Sequence, residues 1–298
     1  MTAFREAPAL PSPPGFTLPV GVCDAHTHVF ESSLALPPAE PPAYPLPEAP
    51  IATHRAVAER LGLARGVLVQ PAAYGGDHSA MLHALAAYPD TLRGVALADT
   101  AVSDATLDTL HEEGVRSLRF VEMRMPGSDR RYPGSISIAA LEALAPRLSL
   151  RGWHAEIWAD VATCAMVVRH YSGLGLPLVF DHLAGAIVTD DANGADYRTV
   201  CNALRSGHAW AKLSLCRVGP KQSDYPLARP FHDALVAANP DRLVWGSDFP
   251  FLRKGAEAPD AGWLLDTFRD WIGDDALVRR ILADNPATLY DFKGTADE

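Results

Sequence analysis

The chain has 298 residues, with 26 Lys+Arg against 36 Asp+Glu, 48% hydrophobic residues and 21% charged residues. That apolar fraction can bury a full core, which excludes a disordered chain. A formal net charge of -10 with no basic block argues against a nucleic-acid or anionic-membrane surface, so the expected partner is a small molecule, and an anionic one must be met by local cations.

Four cysteines, Cys23, Cys164, Cys201 and Cys216, stand far apart with no CxxC pair, and read as reduced thiols of a cytoplasmic protein. The opening MTAFREAPALPSPPGF carries charges and prolines where a signal peptide needs an apolar run, and no stretch approaches the ~18 apolar residues of a membrane span. Composition leaves monomer and homo-oligomer both open.

Residues 1–19 form a Pro-rich arm, and residues 32–50 are Pro-rich again; proline fixes φ and removes a backbone donor, so both are expected to be irregular and superficial. Between them VGVCDAHTHVF is an apolar run ending in polar residues, as expected of a buried strand that opens into a site. The helical pattern of Ile51 to Leu61 leads into ARGVLVQPA, and that of Ser79 to Tyr88 into LRGVALADT. The alternation continues through VRSLRFVEM, WHAEIWAD, PLVFDHLAG, WAKLSLCRV and RLVWGSDFP, which makes eight strands. Eight strand-helix units joined by right-handed crossovers predict one distorted (β/α)8 barrel of the TIM type over residues 20–292. No GxGxxG or Walker pattern follows an early strand, which weakens the open-sheet alternative. Trp263 to Phe292 reads as two helices forming a C-terminal extension, and residues 293–298 as a tail.

Barrel chemistry sits at the C-terminal ends of the strands. The first strand ends in Asp24, His26 and His28, whose common parity predicts one shared direction into the mouth. Two imidazoles there can share a metal ion or a substrate oxygen, although an isolated HxH is more often a solvated or core pair. The sixth strand adds Asp181-His182, the eighth Asp248, and the fourth Arg119; this set, in chain order, turns the reading towards catalysis. Arg119 suits a substrate carboxylate through its bidentate fork, against an ion pair with Glu122 or Glu156. Arg217, Arg124 and Arg130 could help, but their loop positions suit solvated charges equally well.

DAHTH, DH at 181–182, WGSDFP at 245–250 and NPATLY at 285–290 resemble the amidohydrolase superfamily in its amidohydrolase-2 branch, from about Val20 to Phe292. Within it, DAHTHVF, GVLVQPA, SLRF, VFDHLAG and WGSDFP are most similar to the 2-pyrone-4,6-dicarboxylate lactonase group. The resemblance implies attack of water on a lactone carbonyl, with Asp248 taking the proton. It implies that His26, His28 and His182 polarise the carbonyl, or hold with Asp248 one divalent ion (zinc or manganese) that does so. It places Tyr44 where a lactonase tyrosine contacts substrate, and Trp158 at the end of the fifth strand where a tyrosine is expected. Binuclear relatives use a strand-4 lysine and a histidine at the end of strand 5; Arg119 and Ile157-Trp158 stand there, and His154 lies at the wrong end of its strand, so the expectation is one ion or none.

This chain departs from the group at Gln70-Pro71-Ala72, where a small hydroxyl residue is expected, at Trp158, and in DHLAG, which lacks the arginine after DH. Two carboxylate anchors fall towards one, so a lactone less charged than the pyrone dicarboxylate is expected. The competing readings are a metal-dependent decarboxylase on the same barrel, with a tightly held zinc, and a non-catalytic barrel that binds a small acid.

Overall fold

The structure, a computed structural model, describes residues 9–34 and 40–293; the first eight residues of the arm and residues 294–298 of the tail lie outside that range. Eight short strands, β1 (Cys23–Thr27), β2 (Arg65–Val69), β3 (Leu92–Ala96), β4 (Val115–Val121), β5 (His154–Trp158), β6 (Leu178–Phe180), β7 (Ala209–Leu213) and β8 (Leu243–Trp245), pair in parallel in sequence order. Helices α1 (Ile51–Leu61), α2 (Ser79–Ala87), α3 (Asp104–Glu112), α4 (Leu141–Ser149), α5 (Val161–Tyr171), α6 (Ala195–Arg205) and α7 (Arg229–Ala238) fill the crossovers. This is the expected barrel. Alternation within each strand divides the core: Val67, Val69, Val95, Val179 and Val244 belong to the interior cluster, and Leu68, Leu118, Ile157 and Leu213 to the layer beneath the helices.

The barrel closes where β1 meets the segment after β8. Thr27 bridges Phe249 in parallel, Asp248 N donates to His26 O at 2.8 Å, and His28 N donates to Phe249 O at 2.8 Å. Gly246 makes this approach feasible, because a Cβ there would lie 2.6 Å from the Cβ of His26.

The C-terminal extension is more broken than two helices. After α8 (Ala261–Ile272) and α9 (Asp275–Arg279), a π-helical turn at Arg280–Asp284 precedes α10 (Asn285–Leu289). The chain after α10 plugs the barrel floor: Arg65 and Arg93 lie over the Phe292 ring at 5.1 and 4.7 Å and donate to the carbonyls of Lys293 and Asp291. The described part of the arm is a strap, with Ser12 N bound to the Asp260 carboxylate at 2.8 Å and Gly15 N to that of Asp266 at 2.7 Å. The Pro-rich loop after β1 is pinned at its base by paired hydrogen bonds between Phe30 and Ala49. Among the described residues no helix is long and apolar enough to cross a membrane.

Candidate active site

The first strand corrects the parity argument. Asp24 pairs with Gly66 and Thr27 with Leu68, so three steps on β1 oppose two on β2, a bulge that resets side-chain alternation. Asp24 consequently shares a small cavity with His54, Val57 and Ala58 of α1, and its Oδ1 accepts from Ser247 N at 2.9 Å and His26 N at 3.1 Å. Burial pushes its carboxyl up to about 6. Asp24 supports the seam between β1 and β8 from outside, while His26 and His28 point inward.

Below the mouth lies a charge-balanced network. Lys212, on β7 and fully buried, donates to Glu156 Oε2 at 2.6 Å and stands 3.1 Å from His26 Nδ1 and 3.4 Å from Asp181 Oδ1. Arg119 donates to Asp181 Oδ2 through Nε at 3.0 Å and Nη2 at 2.8 Å, and Tyr290 OH donates to Glu156 Oε1 at 2.7 Å. Two cations thus face two carboxylates. Burial alone would raise both acids, but Lys212 outweighs it and brings Glu156 down to about 2, and Lys212 with Arg119 holds Asp181 well below the usual range. His26, pushed down to about 4 first by burial and then by Lys212, is neutral. Arg119 therefore pairs with Asp181, and with neither Glu122 nor Glu156. His154 sits at the start of β5, buried and 3.5 Å from Glu156, as its position in the sequence suggested.

At the mouth the pairing is incomplete. Asp248 Oδ2 accepts from Arg217 Nε and Cys216 Sγ, both at 2.6 Å, and its Oδ1 faces His28 Nε2 at 3.2 Å and His26 Nε2 at 3.7 Å. His28 Nδ1 lies 2.6 Å from Val69 O. A carbonyl only accepts, so Nδ1 carries the hydrogen and a neutral His28 presents a lone pair at Nε2 to the carboxylate. Two acceptors that close require a proton or cation between them. His26 Nε2 is buried with no hydrogen-bond partner among the described residues. His182 Nδ1 is 3.0 Å from Ser214 Oγ, and burial pushes its imidazole well below the ordinary value. Burial would raise Asp248, but the Arg217 guanidinium bound to it outweighs burial and keeps the carboxyl well below the usual range.

Backbone strain gathers at these positions. His182, Leu183 and Ala184 have φ of 51°, 52° and 58°, and Asp248 has 67°. Non-glycine residues in the left-handed region carry strain that packing must hold, and such positions concentrate at functional sites. Here they aim His182 and Asp248 across the mouth.

The residues fit one divalent ion. His26, His28 and Asp248 each offer a ligand atom within 4.8 Å of the others, two imidazole nitrogens and a carboxylate oxygen, which is a zinc-type donor set with an open position. The alternative set of His26, Asp181 and His182 is a poorer one, since Asp181 already serves Arg119 and Lys212.

The cavity at the mouth, the candidate catalytic cavity, is lined by residues that include His28, Arg119, Trp158, His182, Arg217 and Asp248, with Tyr44 and Tyr132 on its outer side. Seven of these eight residues, all but Tyr132, are expected from sequence; Trp158 stacks on Tyr132 at 5.3 Å and leaves its buried Nε1 without a partner among the described residues. Burial pushes the Tyr44 hydroxyl up to about 12, so it stays a donor. Arg124 is not brought in: half-exposed, it lies 3.6 Å from Glu122 and donates to Asp129 O at 3.0 Å. Arg130 reaches Glu40 on the surface. Sequence reasoning missed Lys212, Tyr132, Arg253 and the contact of Cys216 with Asp248. Only Lys212 had a signal, a lone cation within the apolar run AWAKLSL.

A family model described as Amidohydrolase matches residues 23–292. The chain belongs to the amidohydrolase-2 family. It is similar to the 2-pyrone-4,6-dicarboxylate hydrolase of Comamonas testosteroni, at 31% identity over 97% of this chain and 98% of that one. It is also similar to the 4-sulfomuconolactone hydrolase of Rhizobium radiobacter, at 30% identity over 94% of this chain and 93% of the relative. A crystal structure from Pseudomonas putida, provisionally described as a 2-pyrone-4,6-dicarboxylic acid hydrolase, superposes with a TM-score of 0.77 at 28% identity, covering 93% of this chain and all of the other.

Proposed function

We propose that this amidohydrolase opens the ester bond of a small carboxylated lactone, with Asp248 taking a proton from the attacking water. The observation that carries the reading is the asymmetry of Asp248: Oδ2 is tied down by Arg217 and Cys216, and Oδ1 is turned to the imidazoles of His26 and His28. The similarity to two lactone hydrolases supports the same reaction class.

Asp248 stays ionised across the working pH range, which keeps it ready to accept a proton but makes it a weak base. The rate then depends on stabilising the negative oxygen of the tetrahedral intermediate. His182, which lines the cavity braced by Ser214, and His26, whose buried Nε2 is unpartnered among the described residues, are the nitrogens available for that oxygen. A divalent ion held by His26, His28 and Asp248 would polarise the lactone carbonyl. Lys212 and Asp181 orient His26 from below, and Trp158 with Tyr44 covers the reacting ester and limits access of bulk water.

The test is acid release from sugar lactones, muconolactones and pyrone carboxylates, followed with a pH indicator, with and without added zinc or manganese. Hydrolysis of at least one lactone class is expected, with loss of turnover in Asp248→Asn. Carbon dioxide release from an aromatic or unsaturated acid, with no lactone opened, would replace this reading with the decarboxylase.

A further inference from the structure

Two cavities stacked over the barrel differ sharply in size. The catalytic cavity has about 20 Å³ of free space, room for about one water. Directly above it, a cleft of about 640 Å³ is bounded by Met125, Pro126, Pro250 and Phe251. The two share Tyr44, Tyr132, Leu252 and Arg253, which form the throat between them. The lower space suits the attacking water, so the body of a substrate lies across and above the throat.

Charge accounting decides what kind of body that is. Of the three guanidiniums that line the catalytic cavity, Arg119 is neutralised by Asp181 and Arg217 by Asp248. Arg253 is the third; its guanidinium lies 5.1 Å from the Tyr132 ring centre, and no carboxylate among the described residues pairs with it. Its charge is the one left to answer an anion, and its place at the throat sets that anion at the rim. The walls above it are apolar and aromatic, unsuited to a second charge or to a polyhydroxylated ring.

We propose that the substrate is an amphiphilic lactone acid, carrying one anionic group that Arg253 holds at the throat and an apolar aryl or alkyl arm that lies in the upper cleft. This rests on the lactone-hydrolysis reading and adds the two specificity elements, Arg253 and the cleft, to it. A single anion at Arg253 also explains why an assignment of the carboxylate to Arg119 is poor: a cation whose Nε and Nη2 both already donate to a buried aspartate oxygen has little charge to spare.

Three γ-lactones separate the terms: one bearing a single carboxylate, the same with a phenyl substituent, and the primary amide of the phenyl compound. With the full chain, the phenyl arm is expected to raise kcat/KM by about 10- to 100-fold, and replacing the carboxylate of the phenyl compound by the amide to lower it by about 10-fold or more. Ala258→Trp, which fills the cleft wall, brings the ratio of phenyl to bare lactone close to one, and Arg253→Gln brings the ratio of acid to amide close to one. Should Ala258→Trp fail to fold by circular dichroism, Met125→Ser makes the same test by removing apolar wall. A phenyl-to-bare ratio near one in the wild-type protein, or ratios unchanged by these substitutions, overturns the proposal while hydrolysis itself stands. If none of the lactones is opened, the hydrolase reading fails separately, and calorimetric binding of the phenyl lactone acid still decides: affinity at least 10-fold weaker in both variants supports the amphiphilic site, and equal affinity in wild type and variants overturns it.

Discussion

The middle of the barrel and its mouth are built from the same residue types to opposite ends. In the middle, the buried charges of Lys212 and Arg119 balance those of Glu156 and Asp181, with Tyr290 reaching up from the floor to Glu156. Higher up, His26 Nε2 and Trp158 Nε1 have no partner among the described residues, His28 and Asp248 face each other as acceptors, and the exposed Arg253 pairs with no carboxylate among those residues. Balanced buried charge marks scaffold, and unmet polar atoms gathered around a cavity mark the place where a ligand completes the structure.

That contrast can be broken from either side. The largest effect is expected at the mouth: Asp248→Asn should lower kcat by about 10²- to 10⁴-fold with the fold retained, checked by single-turnover kinetics beside circular dichroism. An unaltered rate removes Asp248 as the base. In the middle, Lys212→Met leaves Glu156 and Asp181 as buried carboxylates short of a cation, and should cost about 3–5 kcal/mol in denaturant unfolding. A loss under 1 kcal/mol would mean that the network is not scaffold.

Acid tests both regions together. His26 and His54 are pushed by burial from an ordinary 6.5 to about 4, so the unfolded chain binds more protons between those values. The stability each imidazole contributes is present above pH 6.5 and lost as pH falls through about 4, on the order of 3 kcal/mol per group at 1.36 kcal/mol per unit. Asp24, raised to about 6, acts in the opposite sense over the same window, so the test is made in Asp24→Asn: its unfolding free energy should fall from pH 7 to pH 4.5, and a flat profile would mean that the two rings take up protons near their ordinary value in the folded protein. Next in size, Tyr290→Phe removes one hydrogen bond to Glu156 while Lys212 remains, and about 1–2 kcal/mol of stability should go with it in thermal unfolding. The smallest effect is expected of Arg124→Gln, since Arg124 lies in neither cavity: kcat/KM should change by less than about 2-fold and stability by under about 0.5 kcal/mol.

Much of the fold was legible because it is carried by local pattern. Eight apolar runs separated by amphipathic ones survive in the structure as eight strands with crossover helices, and Ile51–Leu61 is helical over its whole expected length. The C-terminal extension was less so, because a π-turn at Arg280–Asp284 depends on packing beneath the barrel. In the site, His26, His28, His182 and Asp248 could be found because polar residues at strand ends stand out against apolar runs. Asp24 could not be placed, since a bulge leaves no mark in the pattern and one extra residue reverses a side chain's face.

Sequence by itself determined the barrel, the four histidine and aspartate positions around its mouth, and the likeness to lactone hydrolases, because periodicity and strand-end motifs are properties of neighbours along the chain. Which cation is free was decided only by tertiary structure. Arg119, Arg217 and Arg253 are alike as letters, and their roles separate once Asp181 and Asp248, from other strands, come within hydrogen-bonding distance of the first two and leave the third without a carboxylate partner among the described residues. Charge neutralisation acts between residues far apart in the chain, at distances that only the folded barrel sets.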